Sequence, residues 1–184
     1  MKVEKTPLKD CLIIHDTLFE DERGYFFESY NHQKFQKETG LQTTFVQDNQ
    51  SRSGRGVLRG LHFQTGEFAQ AKLVRVLRGE VLDVAVDVRS SSPTFGQHFS
   101  IVLSESSRTQ FYIPRGFAHG FLVLSETADF FYKCDNFYNK ASDGGIIYND
   151  PEINIDWQMP AKELIISAKD AGLPLLSSQK ILFK

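Results

Sequence analysis

Between about residue 43 and residue 134 the chain is a succession of short β-rich runs with turn residues between them, and this limits what it can fold into. The runs read as strands over Lys72–Leu77, Val81–Val88, Phe99–Leu103, Gln110–Ile113, Gly120–Leu124 and Ala128–Lys133. In the second of these, Leu82, Val84, Val86 and Val88 alternate with Val81, Asp83, Ala85 and Asp87. Period-two alternation marks a strand whose two faces meet different surroundings. Arg78-Gly79-Glu80 separates two runs in the manner of a hairpin turn. Many strands at close spacing call for a sandwich or a barrel. Helix is scarce: Asn31–Thr39, closed by Gly40, is one segment, and Ser167–Ala171 is a short turn. The expectation is one all-β domain over residues 1–184, with a few short helices.

The 16 Phe and 6 Tyr residues suffice for a bulky core and an aromatic-lined mouth. A net charge of −2 gives no whole-chain reason to bind nucleic acid or an anionic membrane, so any phosphate site must be a local basic cluster. No apolar run approaches the roughly 20 residues needed to span a bilayer. The start, Met1-Lys2-Val3-Glu4-Lys5, lacks the apolar stretch of a secretory signal, and Cys11 and Cys134 have no metal-ligand spacing. Free thiols in a cytoplasmic setting are expected.

Two segments carry the chemistry. One is Gly56-Val57-Leu58-Arg59-Gly60-Leu61-His62-Phe63-Gln64, followed by Gln70-Ala71-Lys72; the other is Pro114-Arg115-Gly116-Phe117-Ala118-His119-Gly120. The second matches the P-x-G-x-x-H element of cupin barrels. The first resembles the other cupin element, which in metal-binding members carries His-x-His on a strand. Here Gln64 stands at the second histidine position. Alternate strand residues share a face, so His62 and Gln64 are expected to point into the barrel. A transition metal wants several imidazoles or carboxylates, and the cation of Lys72 would oppose it. His62 is then free to act as a base. An imidazole alone is too weak to deprotonate a carbon beside a ketone, so the enolate needs a fixed cation at its oxygen, and Lys72 is the candidate. Inversion also needs a proton donor on the opposite face, which Tyr132 can supply. Arg23, Arg59 and His119 are basic groups suited to a diphosphate. Asp170 has two readings: with Ser167 it fits a capping box, and it can equally orient His62 as a carboxylate orients an imidazole elsewhere.

From about residue 10 to residue 175 the chain resembles the dTDP-4-dehydrorhamnose 3,5-epimerase family. The resemblance rests on Asp21-Glu22-Arg23-Gly24-Tyr25-Phe26-Phe27-Glu28, Gln47-Asp48-Asn49, the two segments above, Lys72-Leu73-Val74-Arg75-Val76, Asp83 to Arg89, Ser92-Pro93-Thr94-Phe95-Gly96 and Tyr148-Asn149-Asp150-Pro151. It implies a cupin-like jelly-roll barrel that works without metal or cofactor on a dTDP-ketosugar, inverting both carbons flanking the ketone. It further implies His62 as base with Asp170, Tyr132 as acid and Lys72 on the ketone oxygen. Arg23, Glu28, Gln47, Asp48, Asn49, Arg59, His119, Asp143 and Lys169 would contact nucleotide or sugar, and Tyr138 and Phe26 would stack on the thymine. The family is a homodimer with exchanged N-terminal strands. Two departures are Gln50, where members commonly have His, and a loop at Thr65–Ala69 without the usual proline before Gln70. Rival readings are a single-carbon epimerase, a ketoisomerase, a metal-dependent cupin dioxygenase and a binding barrel without activity.

Overall fold

The computed structural model of the protein describes residues 1–179 and Phe183. In chain order the strands begin with β1 (Lys2–Lys5), β2 (Leu12–His15), β3 (Phe19–Asp21), β4 (Gly24–Phe26), β5 (Gln47–Gly54), β6 (Val57–Gln64) and β7 (Lys72–Arg78). They continue with β8 (Glu80–Asp87), β9 (His98–Ser104), β10 (Thr109–Ile113), β11 (Phe117–Val123), β12 (Thr127–Cys134), β13 (Asp143–Gly145) and β14 (Ile165–Ile166). One sheet runs β1-β2-β10-β7-β12-β5; the other runs β13-β6-β11-β8-β9, with β14 parallel to β6. Strands β3 and β4 form a separate hairpin. The expected all-β, cupin-like jelly-roll architecture is the observed one.

Each of the six strands expected from the pattern is present, with ends at the expected residue or up to three residues from it. The turn at Arg78-Gly79-Glu80 is a correction. β7 pairs with β10 and β12, whereas β8 pairs with β9 and β11, so the chain here crosses between sheets and does not fold back in a hairpin. Gly79 has φ 78°, and a Cβ there would collide with the Thr127 carbonyl, so the corner needs glycine.

The alternation in β8 does mark unlike faces, but both are buried. Val81 and Ala85 join the core between the sheets, with Phe111, Phe121 and Phe130. Leu82, Val84 and Val86 face outward into a second core, roofed by Ile146, Ile153, Trp157 and Leu176 from the C-terminal segment. That segment carries α2 (Ala168–Ala171) against β6, while α1 (His32–Thr39) buries Phe35 beside Leu73 and Tyr112. Asn31 caps α1 by accepting the Lys34 N–H, and Gly40 closes it at φ 73°. Cys11 and Cys134 are buried free thiols.

Candidate active site

Between the sheets lies a cavity of about 600 Å³. β12 presents Ala128, Phe130, Tyr132 and Cys134 inward because alternate residues share a face, and its ladder sets Tyr132 beside Val74 of β7 and Asn49 of β5. Lys72 opens β7 opposite Cys134. From the other sheet come His62 and His119, direct partners across β6 and β11. Past that pair the register shifts, so that Phe121 opposes Arg59. A regular strand would send residues 59 and 62 to opposite faces; the bulge brings Arg59 and His62 to the same cavity. Gly60 sits in the shift at φ 127°, and a Cβ there would lie 2.5 Å from Gly120 Cα. Only glycine permits that approach.

His62 Nε2 lies 2.8 Å from Asp170 Oδ1. The other oxygen of this buried carboxylate accepts the Gly60 N–H at 3.3 Å. Only half of the capping box is made: the Asp170 backbone N–H donates to Ser167 Oγ at 3.0 Å, capping α2, while its carboxylate turns to the imidazole and not to the Ser167 N–H. An ionised carboxylate only accepts, so Nε2 carries the proton and the Nδ1 lone pair is left free. Burial pushes the His62 imidazole below its ordinary value; Asp170 pulls it back up, and the cations of Lys72 and Lys169 push it down again.

Lys72 holds its Nζ 5.8 Å from the centre of the Tyr132 ring. Burial lowers the pKa of this ammonium, against the opposing pull of Cys134, Asp83 and Asp143. Burial raises that of the Tyr132 phenol, keeping its proton in place. His119 is buried, and its Nε2 lies 3.0 and 2.9 Å from the two oxygens of Asp83. Arg59 donates Nε to Ser53 Oγ at 3.1 Å, and its cavity neighbours on β5 are Asn49, Gln50 and Ser51.

A second group of predicted residues forms the rim. Asp143 accepts from Lys169 Nζ at 2.5 Å, Gln64 Nε2 at 3.2 Å and the Tyr138 hydroxyl at 3.5 Å. Gln47 accepts the Tyr138 N–H at 3.1 Å and donates to Asn49 at 3.1 Å. Gln64 is buried as expected, but its amide ties Asn139 and Asp143 and does not line the cavity.

Arg23, Phe26, Glu28 and Asp48 join Gln47, Tyr138, Asp143 and Lys169 outside the lining of the cavity of their own chain, and their side chains lie apart from that rim. Asp48 faces outward and pairs with Lys133 at 3.0 Å. Arg23 pairs with Asp21 at 2.5 Å, Glu28 with Lys34 at 2.8 Å, and Phe26 is 70% exposed on the β3–β4 hairpin. Sequence reasoning did not single out Phe121, Phe130, Ile165 and Ile166, which give the cavity an apolar wall, nor Asp83. Asp83 did leave a signal, as an acid between Val81 and Ala85, which both join the core between the sheets. No group of three or more His, Cys, Asp or Glu that could hold a metal converges among the described residues, and no described helix is long and apolar enough to cross a membrane.

Residues 5–178 match the model of the family described as dTDP-4-dehydrorhamnose 3,5-epimerase. A dTDP-4-dehydrorhamnose 3,5-epimerase from Salmonella typhimurium is 55% identical over 179 residues, covering 96% of each chain. The crystal structure of an enzyme of that name from Elizabethkingia anophelis superposes with TM-score 0.94 at 59% identity, covering 97% of this chain and 98% of the other. A dTDP-6-deoxy-D-glucose-3,5-epimerase from Legionella pneumophila, solved in complex with dTDP-4-keto-L-rhamnose, gives TM-score 0.95 at 46% identity over 100% of this chain and 97% of the other.

Proposed function

The chain belongs to the dTDP-4-dehydrorhamnose 3,5-epimerase family, and on that premise we propose that it converts dTDP-4-dehydro-6-deoxy-D-glucose to dTDP-4-dehydro-L-rhamnose as a step of dTDP-L-rhamnose synthesis. The observation that carries this reading is the His62–Asp170 pair opening on the same cavity as Lys72 and Tyr132. Nδ1 of His62 takes the proton from a carbon beside the ketone, and the C–H electron pair becomes the enolate π bond. Charge collects on the ketone oxygen, where the Lys72 ammonium stabilises it. When the enolate collapses, the Tyr132 hydroxyl delivers a proton to the opposite face; solvent then reprotonates the phenolate and takes up the proton held on His62 Nδ1. Repeating the cycle at the second flanking carbon completes the double inversion. The chain's own groups do all of this, with no metal or cofactor.

Arg59, His119 and Asn49 are suited to hold the diphosphate and sugar, and Gln47, Tyr138, Asp143 and Lys169 to hold the nucleotide at the rim. Arg23, Phe26, Glu28 and Asp48 act at the substrate only if a second copy contributes them, through a homodimer whose N-terminal strands are exchanged. The exposure of Phe19, Tyr25 and Phe26 on one hairpin supports this. The protein works as one domain of residues 1–184, in the cytoplasm, where its two buried thiols stay reduced.

The test is turnover of the dTDP-ketosugar in deuterated buffer followed by NMR. Deuterium at both carbons flanking the ketone, with both centres inverted, is expected. Inversion at one carbon only would replace this reading with a single-carbon epimerase. Tyr132→Phe should still exchange deuterium through His62 on one face while forming little inverted product.

A further inference from the structure

Asp83 is wholly buried, and the His119 ring is the one hydrogen-bonding partner its side chain has among the described residues. Both oxygens of a carboxylate thus converge on a single nitrogen. Nε2 must donate to them, since an ionised carboxylate offers only lone pairs. The other nitrogen, Nδ1, makes no hydrogen bond among the described residues, yet it is not one of the fully buried unpaired atoms. It therefore has access to the cavity that His119 lines. The ring itself is fixed by stacking on Phe130, with centroids 6.0 Å apart and planes 24° from parallel.

We propose that Asp83 is a positioning residue that turns His119 into a charged donor for the substrate's diphosphate. This deepens the reading above and rests on it. With Nε2–H committed to Asp83, Nδ1 can donate to a phosphate oxygen only by taking up a proton. The ring then lies between two anions, one fixed and one arriving, and both favour the imidazolium. The other charged and titratable groups facing the site are Arg59 and His62 from β6, Lys72 from β7, Tyr132 from β12 and Asp170 from α2, whose carboxylate is committed to His62 and the Gly60 N–H. The nearby cations oppose a further positive charge, so the ring needs its buried carboxylate to carry one. An imidazole without that partner could meet the phosphate only as an uncharged Nδ1–H donor, or turn away from it.

The experiment compares dTDP with thymidine, which has the base and sugar but no phosphate, as ligands in calorimetry. Asp83→Asn should weaken dTDP by about tenfold or more, the range of a lost charge-assisted bond, and leave thymidine affinity unchanged. His119→Gln should do the same, and the double variant should lose no more than His119→Gln alone. Asp83→Asn binding dTDP as wild type does, or losing both ligands alike as a merely structural residue would, overturns the proposal. Should the buried substitution prevent folding, ¹⁵N NMR of wild-type imidazoles decides it. Nε2–H alone is expected for His119 in free protein, and both nitrogens protonated with dTDP bound; a ring still neutral in the complex overturns it. Wild-type protein that binds neither ligand sinks the sugar-nucleotide reading instead.

Discussion

Two histidine–aspartate pairs face one cavity from neighbouring strands, and they are built differently. His119 and Asp83 sit on paired strands β11 and β8, where the ladder itself sets their separation, and both are almost entirely out of solvent, at 7% and 0% exposure. His62 is 31% exposed, and its partner arrives from 108 residues away on α2, a helix of four residues that Ser167 caps and that packs on β6. A sheet-built pair keeps one geometry for as long as the barrel stands. A pair closed by a short terminal helix depends on tertiary docking and can be loosened alone. The lesson is a division of labour: the more exposed imidazole can meet substrate carbon and solvent, while the enclosed one suits a fixed electrostatic task.

The division breaks first at His62. His62→Ala should abolish solvent deuterium incorporation, with turnover falling on the order of 10³-fold or more, because general base catalysis is lost outright. Affinity for dTDP should hardly change. Exchange at the wild-type rate would mean that the pairs have been assigned the wrong way round.

Asp170→Asn comes next, at about 10²-fold in turnover, since the imidazole keeps its place but loses its anionic partner. The pH profile sharpens the point. Burial sets His62 low and Asp170 opposes it, so the acid limb of kcat/KM, which reports the free enzyme, should lie below the ordinary imidazole value of ~6.5. Removing the carboxylate should move the limb lower still. An upward move would contradict the assignment of the base. The same shift bears on stability: the unfolded imidazole protonates first, so the folded state loses ground as pH falls from ~6.5 toward the lowered native value.

How far these pairs were legible in the sequence follows from how each is made. His62 and His119 lie inside compact motifs that mark them without strand alternation. Asp170 could not be decided from pattern, because a capping box and an imidazole partner both call on its carboxylate; in the fold the carboxylate goes to the imidazole and only the serine half of the box is made. β5 gave no hydrophobic signal, since its more buried face carries Gln47, Asn49, Ser51 and Ser53, amides and hydroxyls of which Asn49 and Ser51 line the cavity. The joint presence of Arg59 and His62 rests on a register shift that residue spacing argues against. Phe26, Glu28 and Asp48 came from family resemblance alone and Arg23 also from its guanidinium, and the fold of one chain leaves all four outside the cavity.

The smallest expected effect is the most selective. Ser167 touches neither substrate nor imidazole; its Oγ accepts the Asp170 N–H at the start of α2. Ser167→Ala should cost about 1 kcal/mol, the usual worth of an N-cap, lowering Tm by roughly 2–4 °C in a chain of this size. Because α2 carries Asp170, part of that cost should appear as a few-fold loss of turnover, with the acid limb drifting toward that of Asp170→Asn. The β8–β11 pair shares no hydrogen bond with α2, so dTDP affinity should stay where it was. A variant that lost nucleotide affinity as readily as turnover would show the two pairs to be mechanically one unit. If it keeps affinity and loses turnover, the base is held by a cap and the diphosphate donor by a sheet.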